Sequence, residues 1–96
     1  MRKTNNQSLK EVIEQMLNTY RLKGKLNEVE IINSWEGIVG KMIAKHTSEI
    51  YVRNKKLFVH LDSSVVREEL SYAREKLLKS LNDVVGEDVI TEIVLK

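Results

Sequence analysis

The 96-residue chain contains no cysteine and no proline. Without cysteine, disulfides and thiolate metal sites are excluded. No apolar run approaches the roughly 18 residues that a membrane-spanning helix requires. The N-terminus is basic but lacks the apolar segment of a signal peptide. We therefore expect a cytoplasmic protein that does not bind a membrane.

Histidine is scarce as well, since His46 and His60 are the only imidazoles. Neither has the spacing of a metalloprotease site, and the chain has no nucleophile elbow and no Walker A loop. We expect His46 to support the last carbonyls of a helix. We expect His60 to pair across a sheet with Glu49. The sequence predicts no enzyme activity, no metal and no cofactor.

The composition that remains is that of one ordinary globular domain. Hydrophobic residues make up 42% of the chain and charged residues 31%, and the length leaves no room for a second core. We expect a flexible N-terminus over residues 1–7 and a single domain over residues 8–96. The net charge is only +2, but six basic and two acidic side chains give residues 1–25 a charge of +4. The basic groups are therefore concentrated at the front of the chain.

Apolar spacing predicts a first helix over residues 8–21. Ser8 and Glu11 match a capping box, and apolar side chains follow at 3-4 spacing. Gly24 can adopt the left-handed conformation that ends a helix. We therefore expect a loop over residues 22–25.

A second, central helix is predicted from Asn27 to about residue 45, because Asn27 and Glu30 repeat the cap pattern. Its apolar side chains cover an arc of roughly 140°, and they are Ile31, Ile32, Trp35, Ile38, Val39, Met42 and Ile43. This width predicts a helix in the middle of the fold. We expect the two helices to form an αα-hairpin whose apolar faces meet.

The period then changes to two, which predicts a β-hairpin with a two-residue turn at Asn54 and Lys55. This turn pairs residues of like character on each face. The predicted pairs are Val52 with Leu57, Ile50 with Val59, Tyr51 with Phe58 and Glu49 with His60.

A third helix is predicted over residues 64–84 and a third strand over residues 88–96, with Gly86 between them. The predicted core positions of this helix are Val66, Leu70, Ala73, Leu77, Leu81 and Val84. The order of elements is α-α-β-β-α-β. This order predicts an α+β fold with the helices on one face of a small three-stranded sheet.

Several short patterns occur in an order that resembles the bacterial DciA-like family over about residues 8–95. They are Trp35-x-x-Ile38-Val39-Gly40, Ile43-Ala44-x-His46-Thr47, Leu57-x-Val59-x-Leu61-x-Ser63-Ser64, Glu69-Leu70, and Leu81-Asn82 before Gly86. The resemblance implies a KH-like domain. It also implies a role in bacterial DNA replication, in which the protein binds DNA and helps to load the replicative helicase, without nucleotide hydrolysis.

The pattern Gly37-x-x-Gly40 matches the backbone clamp of KH domains. Ile38 and Val39 belong to the apolar stripe, however, so we interpret the two glycines mainly as structural. The predicted loop before the central helix is the preferred phosphate site, because free amides there would accompany a cluster of cations. The cations are Arg21, Lys23 and Lys25.

The β-hairpin is a second candidate site. Its tip carries Arg53, Lys55 and Lys56, beside the predicted aromatic pair of Tyr51 and Phe58. Cations next to aromatic rings suit a single-stranded nucleic acid, whose bases stack while its phosphates pair with cations. A protein interface or a purely structural role are the alternatives. Two further cations on the central helix would extend either surface, Lys41 and Lys45.

These observations favour a non-enzymatic nucleic-acid-binding domain of replication, with the replicative helicase as a possible partner. The alternative is a protein adaptor or dimerisation module that binds the helicase or a second copy of itself, as a weak homodimer, and has little intrinsic affinity for nucleic acid. The residues do not decide between DNA and RNA.

Overall fold

The computed structural model describes residues 8–96, so the expected flexible segment over residues 1–7 lies outside the described residues. The fold is α+β, as predicted, with helices and one three-stranded sheet. In chain order the elements are α1 (Leu9–Val39), α2 (Lys41–Lys45), β1 (Thr47–Arg53), β2 (Lys56–Leu61), α3 (Ser64–Tyr72), α4 (Arg74–Val85) and β3 (Glu92–Leu95).

Helix α1 corrects the prediction of an αα-hairpin, because residues 9–39 form one continuous helix of 31 residues. Ser8 caps its start as predicted, with its hydroxyl accepting a hydrogen bond from the Glu11 amide at 3.2 Å. Gly24 lies inside the helix and no loop follows it. One interior glycine costs only about 1 kcal/mol, and its neighbours Lys23 and Lys25 are good helix formers. The local propensity therefore carries the helix through Gly24.

The helix ends instead at Gly40, where φ is 92° and ψ is 165°. A residue with a Cβ essentially never adopts this conformation. The chain then starts the five-residue helix α2, so the predicted central helix ends at Val39 and not near residue 45. The break changes the direction in which the following side chains point. Met42, predicted to be buried, is 62% exposed.

The sheet has the order β1-β2-β3, with β1 antiparallel and β3 parallel to β2. All four predicted cross-strand pairs are confirmed. Asn54 and Lys55 both have positive φ, at 53° and 64°, which is the geometry of the predicted tight turn. The register shifts between Thr47 and Glu49. This irregularity leaves Ser48 to donate a side-chain hydrogen bond to the His60 carbonyl at 3.1 Å.

Helices α3 and α4 form the crossover from β2 to the parallel strand β3. The predicted single helix is interrupted at Ala73, where φ is −106° and ψ is 13°. The break shifts the buried face of α4. Val84, predicted to lie in the core, is 38% exposed, and Val85 packs against the core instead.

One hydrophobic core joins the sheet to the helices. The buried side chains are Ile31, Trp35, Leu57, Val59, Leu61, Val66, Leu70, Leu77, Leu81, Ile90 and Ile93. Trp35 also donates its indole N–H to the Thr47 hydroxyl at 3.0 Å, which ties α1 to the start of β1. The helices therefore cover one face of the sheet, on the side of Leu57 and Val59.

The molecule is elongated, because the first half of α1 extends beyond the core. The Cα radius of gyration is 18.1 Å and the principal extents are 65 × 20 × 19 Å. A compact domain of this length would have a radius of gyration of about 12 Å. Every residue from 8 to 23 is exposed. We call residues 9–22 of α1 the N-terminal arm.

Candidate nucleic-acid interface

The outer face of the sheet carries a row of aromatic rings. Side chains alternate along a strand, so the burial of Leu57, Val59 and Leu61 in the core places Phe58 and His60 on the opposite face. Tyr51 lies opposite Phe58 in the register of β1 and β2 and joins them. All three rings are half-buried rather than covered.

Tyr51 stacks on both of the other rings. The ring centroids of Tyr51 and Phe58 are 5.0 Å apart, with 13° between their planes. The Tyr51 and His60 centroids are 5.8 Å apart at 30°. Both distances lie in the range of favourable aromatic pairs. The strands therefore present a row of aromatic rings in which Tyr51 is the central one.

A cation extends this aromatic row toward the hairpin tip. The guanidinium carbon of Arg53 lies 5.4 Å from the centroid of the Tyr51 ring, which is within cation–π range. The structure thus brings together Tyr51, Arg53 and Phe58, as predicted from the hairpin register. We call the surface formed by Tyr51, Arg53, Phe58 and His60 the aromatic face.

The turn at the end of the hairpin is held in place by β3. The Lys55 carbonyl accepts hydrogen bonds from the Thr91 amide at 2.7 Å and from the Thr91 hydroxyl at 3.2 Å. The side chains of Lys55 and Lys56 are exposed beside Arg53. The three predicted cations of the tip are therefore clustered on a fixed backbone.

Acidic groups lie on the same face. Glu92 is 3.6 Å from the Lys56 ammonium group, and Glu49 is 3.9 Å from Nε2 of His60, which confirms the expected pair. Both contacts are partly exposed and are worth little in stability. The positive charge at the tip is consequently carried mainly by Arg53 and Lys55.

The predicted phosphate loop over Arg21–Lys25 is wrong, because these residues lie inside α1. Backbone amides within a helix donate to carbonyls of the preceding turn, so none is free to hold a phosphate. Lys23 is paired with Glu87 at 3.5 Å. Arg21 and Lys25 border a shallow depression on the other side of the helix. The structure does not bring these three cations into the aromatic face.

The remaining predicted cations, Lys41 and Lys45, are exposed on α2, which leads into the start of β1. The hairpin tip is at the other end of β1, six residues away, which is about 20 Å in a strand. Lys41 and Lys45 therefore flank the opposite end of the sheet. Of the two glycines in the G-x-x-G pattern, Gly37 is helical and Gly40 forms the α1–α2 junction.

His46 lies at the end of α2, as predicted, but its side chain does not reach the helix carbonyls. Its Nδ1 atom is 2.7 Å from the Asp62 carboxylate. The Asp62 amide also donates to the His46 carbonyl at 3.0 Å. The sequence prediction missed Asp62, since sixteen residues separate the pair. This contact fixes the end of α2 to the segment after β2.

Two further observations concern the described part of the chain. Among residues 8–96, no group of three or more His, Asp or Glu side chains could hold a metal ion. No helix in this range is both long and apolar enough to cross a lipid bilayer.

The role of His60 in the aromatic row was missed by the sequence interpretation, which treated it only as the partner of Glu49. The position of His60 beside the other rings could have been predicted, because His60 is two residues after Phe58 in the same strand and therefore lies on the same face. The exposed arm was missed for a different reason. Its apolar stripe resembles that of any packed helix, and only the tertiary structure shows that nothing within residues 8–96 covers it.

The chain matches the family model described as "Dna[CI] antecedent, DciA" over residues 8–95. It is also similar to a UPF0232 protein of Corynebacterium glutamicum (strain R), with 33% identity over 63 residues. That alignment includes 66% of this chain and 35% of the relative. The chain therefore matches about a third of the length of this relative.

Proposed function

The chain belongs to the DciA family, and from this premise we propose that it is a non-enzymatic nucleic-acid-binding domain that acts in bacterial DNA replication and assists loading of the replicative helicase. The observation that carries the binding proposal is the aromatic face. It combines three stacked rings with a guanidinium over the central ring. Proteins that hold single strands use this combination of aromatic rings and cations.

The chemistry favours a single strand over a duplex. A base can stack on an aromatic ring only when it has left its own stack. Within a duplex the bases are covered, and only phosphates would remain for Arg53 and Lys55 to contact. We therefore expect tighter binding to single-stranded DNA than to the same sequence as a duplex.

The conformation of Lys55 also supports the proposal. Its φ of 64° lies in the left-handed region, where a residue with a side chain costs roughly 1–2 kcal/mol. Glycine is the favoured residue at this position of a hairpin turn. Strain of this kind is typical of functional positions. A lysine here adds a cation at the tip that a more stable turn would lack.

The first test uses Tyr51→Ala and titrates a labelled single strand of about 20 nucleotides, longer than the roughly 4–16 that one small module covers. Loss of one aromatic contact to a base costs about 1–3 kcal/mol, and Tyr51→Ala also removes the ring on which Phe58 and His60 stack. We therefore expect the dissociation constant, measured by fluorescence anisotropy at low salt, to rise about 5- to 150-fold. Tyr72→Ala is the matched control, since Tyr72 is 81% exposed on α3, away from the aromatic face.

Equal losses in the two tyrosine variants would contradict the proposal, as would an absence of binding by the unmodified chain.

The cations are tested by the triple change Arg53→Glu, Lys55→Glu and Lys56→Glu. Its control makes the same change in charge on α4, at Arg74, Lys76 and Lys79, which are all exposed. For about three phosphate contacts on a single strand, log K should fall with log salt at a slope of about −2. The tip variant should lose most of this slope and the α4 variant should keep it.

A protein adaptor is the second candidate function, and the apolar N-terminal arm favours it. An adaptor would retain the replicative helicase in a pull-down when Tyr51→Ala has removed DNA binding. It would lose the helicase when apolar residues of the arm are replaced by aspartate. If neither the unmodified chain nor the Tyr51→Ala variant retained the helicase, this candidate function would be excluded.

A further inference from the structure

The N-terminal arm exposes a continuous apolar stripe. Its six large apolar side chains are between 37% and 76% exposed, and they are Leu9, Val12, Ile13, Met16, Leu17 and Tyr20. At 100° per residue they cover an arc of about 140°. The stripe lies on the same side of α1 as the buried residues Ile31 and Trp35. An apolar face of this size on a soluble protein marks an interaction surface.

The spacing of the stripe has a two-fold symmetry. Reversing the order of residues 9–20 maps the set of six apolar positions onto itself. The midpoint lies between residues 14 and 15. Leu9 then corresponds to Tyr20, Val12 to Leu17 and Ile13 to Met16. Such a pattern is self-complementary in an antiparallel pair of identical helices, which is the requirement of a two-fold symmetric interface.

The charges fit the same arrangement. In this register Lys10 lies at the height of Thr19 of the second copy, Glu11 at the height of Asn18, and Glu14 at the height of Gln15. Lys10 and Glu11 are thus kept away from their like-charged copies, and Glu14, which is within one residue of the height of its own copy, points about 130° away from the centre of the stripe. In a parallel, in-register pair each of these charges would instead lie level with its own copy. The charge pattern therefore favours the antiparallel orientation.

We infer that the N-terminal arm pairs antiparallel with the arm of a second copy of this chain, with Ile13 of each copy packed against Met16 of the other. The overlap of twelve residues is about 18 Å long. This is short for a stable interface, which usually buries more than about 1,200 Å². We therefore expect a reversible dimer with a dissociation constant on the order of micromolar. The inference does not depend on nucleic-acid binding.

In this antiparallel pair the hydrophobic cores of the two copies lie far apart. The centre of the pair is at residue 14.5, and Ile31, the first fully buried residue of the core, is about 25 Å further along each helix. The two cores therefore lie on opposite sides of the paired arms, about 50 Å apart. Each aromatic face stays open, because the arm carries none of its residues.

The test is sedimentation velocity of the whole chain over about 0.1–100 µM, a range that brackets a micromolar constant. We expect the unmodified chain to change from monomer to dimer across this range. The double change Ile13→Asp and Met16→Asp should shift the midpoint at least tenfold. The matched control is Leu22→Asp with Val29→Asp. These residues are 66% and 53% exposed on the opposite side of α1, so this control should dimerise as before.

Emission of Trp35, the only tryptophan, verifies that each variant retains its core. A monomer at the highest concentration would overturn the inference, and so would a dimer that survives Ile13→Asp with Met16→Asp.

Orientation is tested separately in the otherwise unmodified chain, which has no cysteine of its own. Leu9→Cys and Tyr20→Cys are made in different chains, mixed and oxidised. The antiparallel pair predicts that disulfides form mainly between the two variants. Disulfides that join mainly identical variants would indicate a parallel pair and would overturn the inference.

Discussion

At the scale of single residues, Asn82 shows how one polar side chain positions an entire strand. Asn82 is buried in α4 and is 7% exposed. Its amide group donates to the Ile90 carbonyl at 2.8 Å and accepts from the amides of Val89 and Ile90 at 3.0 Å each. These three hydrogen bonds hold the segment that precedes β3. Ile90 and Ile93 can then enter the core.

Replacing Asn82 by alanine should destabilise the fold by about 2–4 kcal/mol. The change removes three hydrogen bonds and leaves buried backbone groups without partners. Urea unfolding followed by tryptophan emission measures the difference. Asn33→Ala is the control, because Asn33 is exposed on α1. Equal effects of the two changes would show that the contacts of Asn82 contribute little.

At the scale of elements, Gly24 and Gly40 have opposite effects on α1. Gly24 lies within α1, where an added Cβ would meet no atom within 4 Å. Gly40 has a φ of 92° and ends the same helix. The same residue type therefore continues the helix at one position and stops it at the other.

We predict opposite effects of alanine at these two positions. Gly24→Ala should stabilise the helix by up to about 1 kcal/mol, because alanine is the better helix former and has room. Gly40→Ala should destabilise the fold by about 1–3 kcal/mol, since it forces a side chain into a conformation reserved for glycine. Thermal unfolding of both variants measures the two changes. A shift of the same sign in both would contradict the description of the α1–α2 junction.

The glycines also explain which elements the sequence could predict. The β-hairpin was predicted with its turn and its register, because alternation and the tolerance of asparagine for positive φ are local properties. The end of the first helix was placed at Gly24 and not at Gly40. Local sequence offers a cap at both, and the choice depends on packing. Trp35 and Thr47 lie on either side of the real break and fix it by a hydrogen bond.

The candidate site shows the same contrast between local properties, which the sequence predicts, and properties that depend on packing. Tyr51, Phe58 and Arg53 were predicted to be neighbours because one hairpin contains them all. The cations Arg21, Lys23 and Lys25 were assigned to a loop that does not exist. Their assignment to a phosphate site required a helix to end before residue 22. Because α1 continues to Val39, the predicted phosphate site does not form.

At the scale of the whole molecule, the two ends of α1 differ in the tertiary contacts that stabilise them. Residues 31–38 of α1 pack on the core through Ile31 and Trp35. The arm is the same helix with no buried side chain. An isolated helix of this length is marginal in water. The two halves of one helix should therefore differ in stability.

Hydrogen exchange at submicromolar concentration, below the inferred dimer constant, should reveal this difference. We expect amides in the arm to exchange orders of magnitude faster than those of residues 31–38, because local opening of the arm breaks no tertiary contact. Mass spectrometry of peptides from the two halves measures both rates in one sample. Equal protection at the lowest concentration would show that the arm has another source of support.

The parallel pairing of β3 with β2 has a consequence for the order of events during synthesis. Ile93 belongs to the core, yet it follows α1 by more than fifty residues. At about 5–20 residues per second the ribosome needs roughly 3–11 seconds to make that interval. A hairpin forms within microseconds, so β1 and β2 can pair long before β3 emerges. For those seconds the nascent α1 and the β1–β2 hairpin lack Ile93, which completes the hydrophobic core.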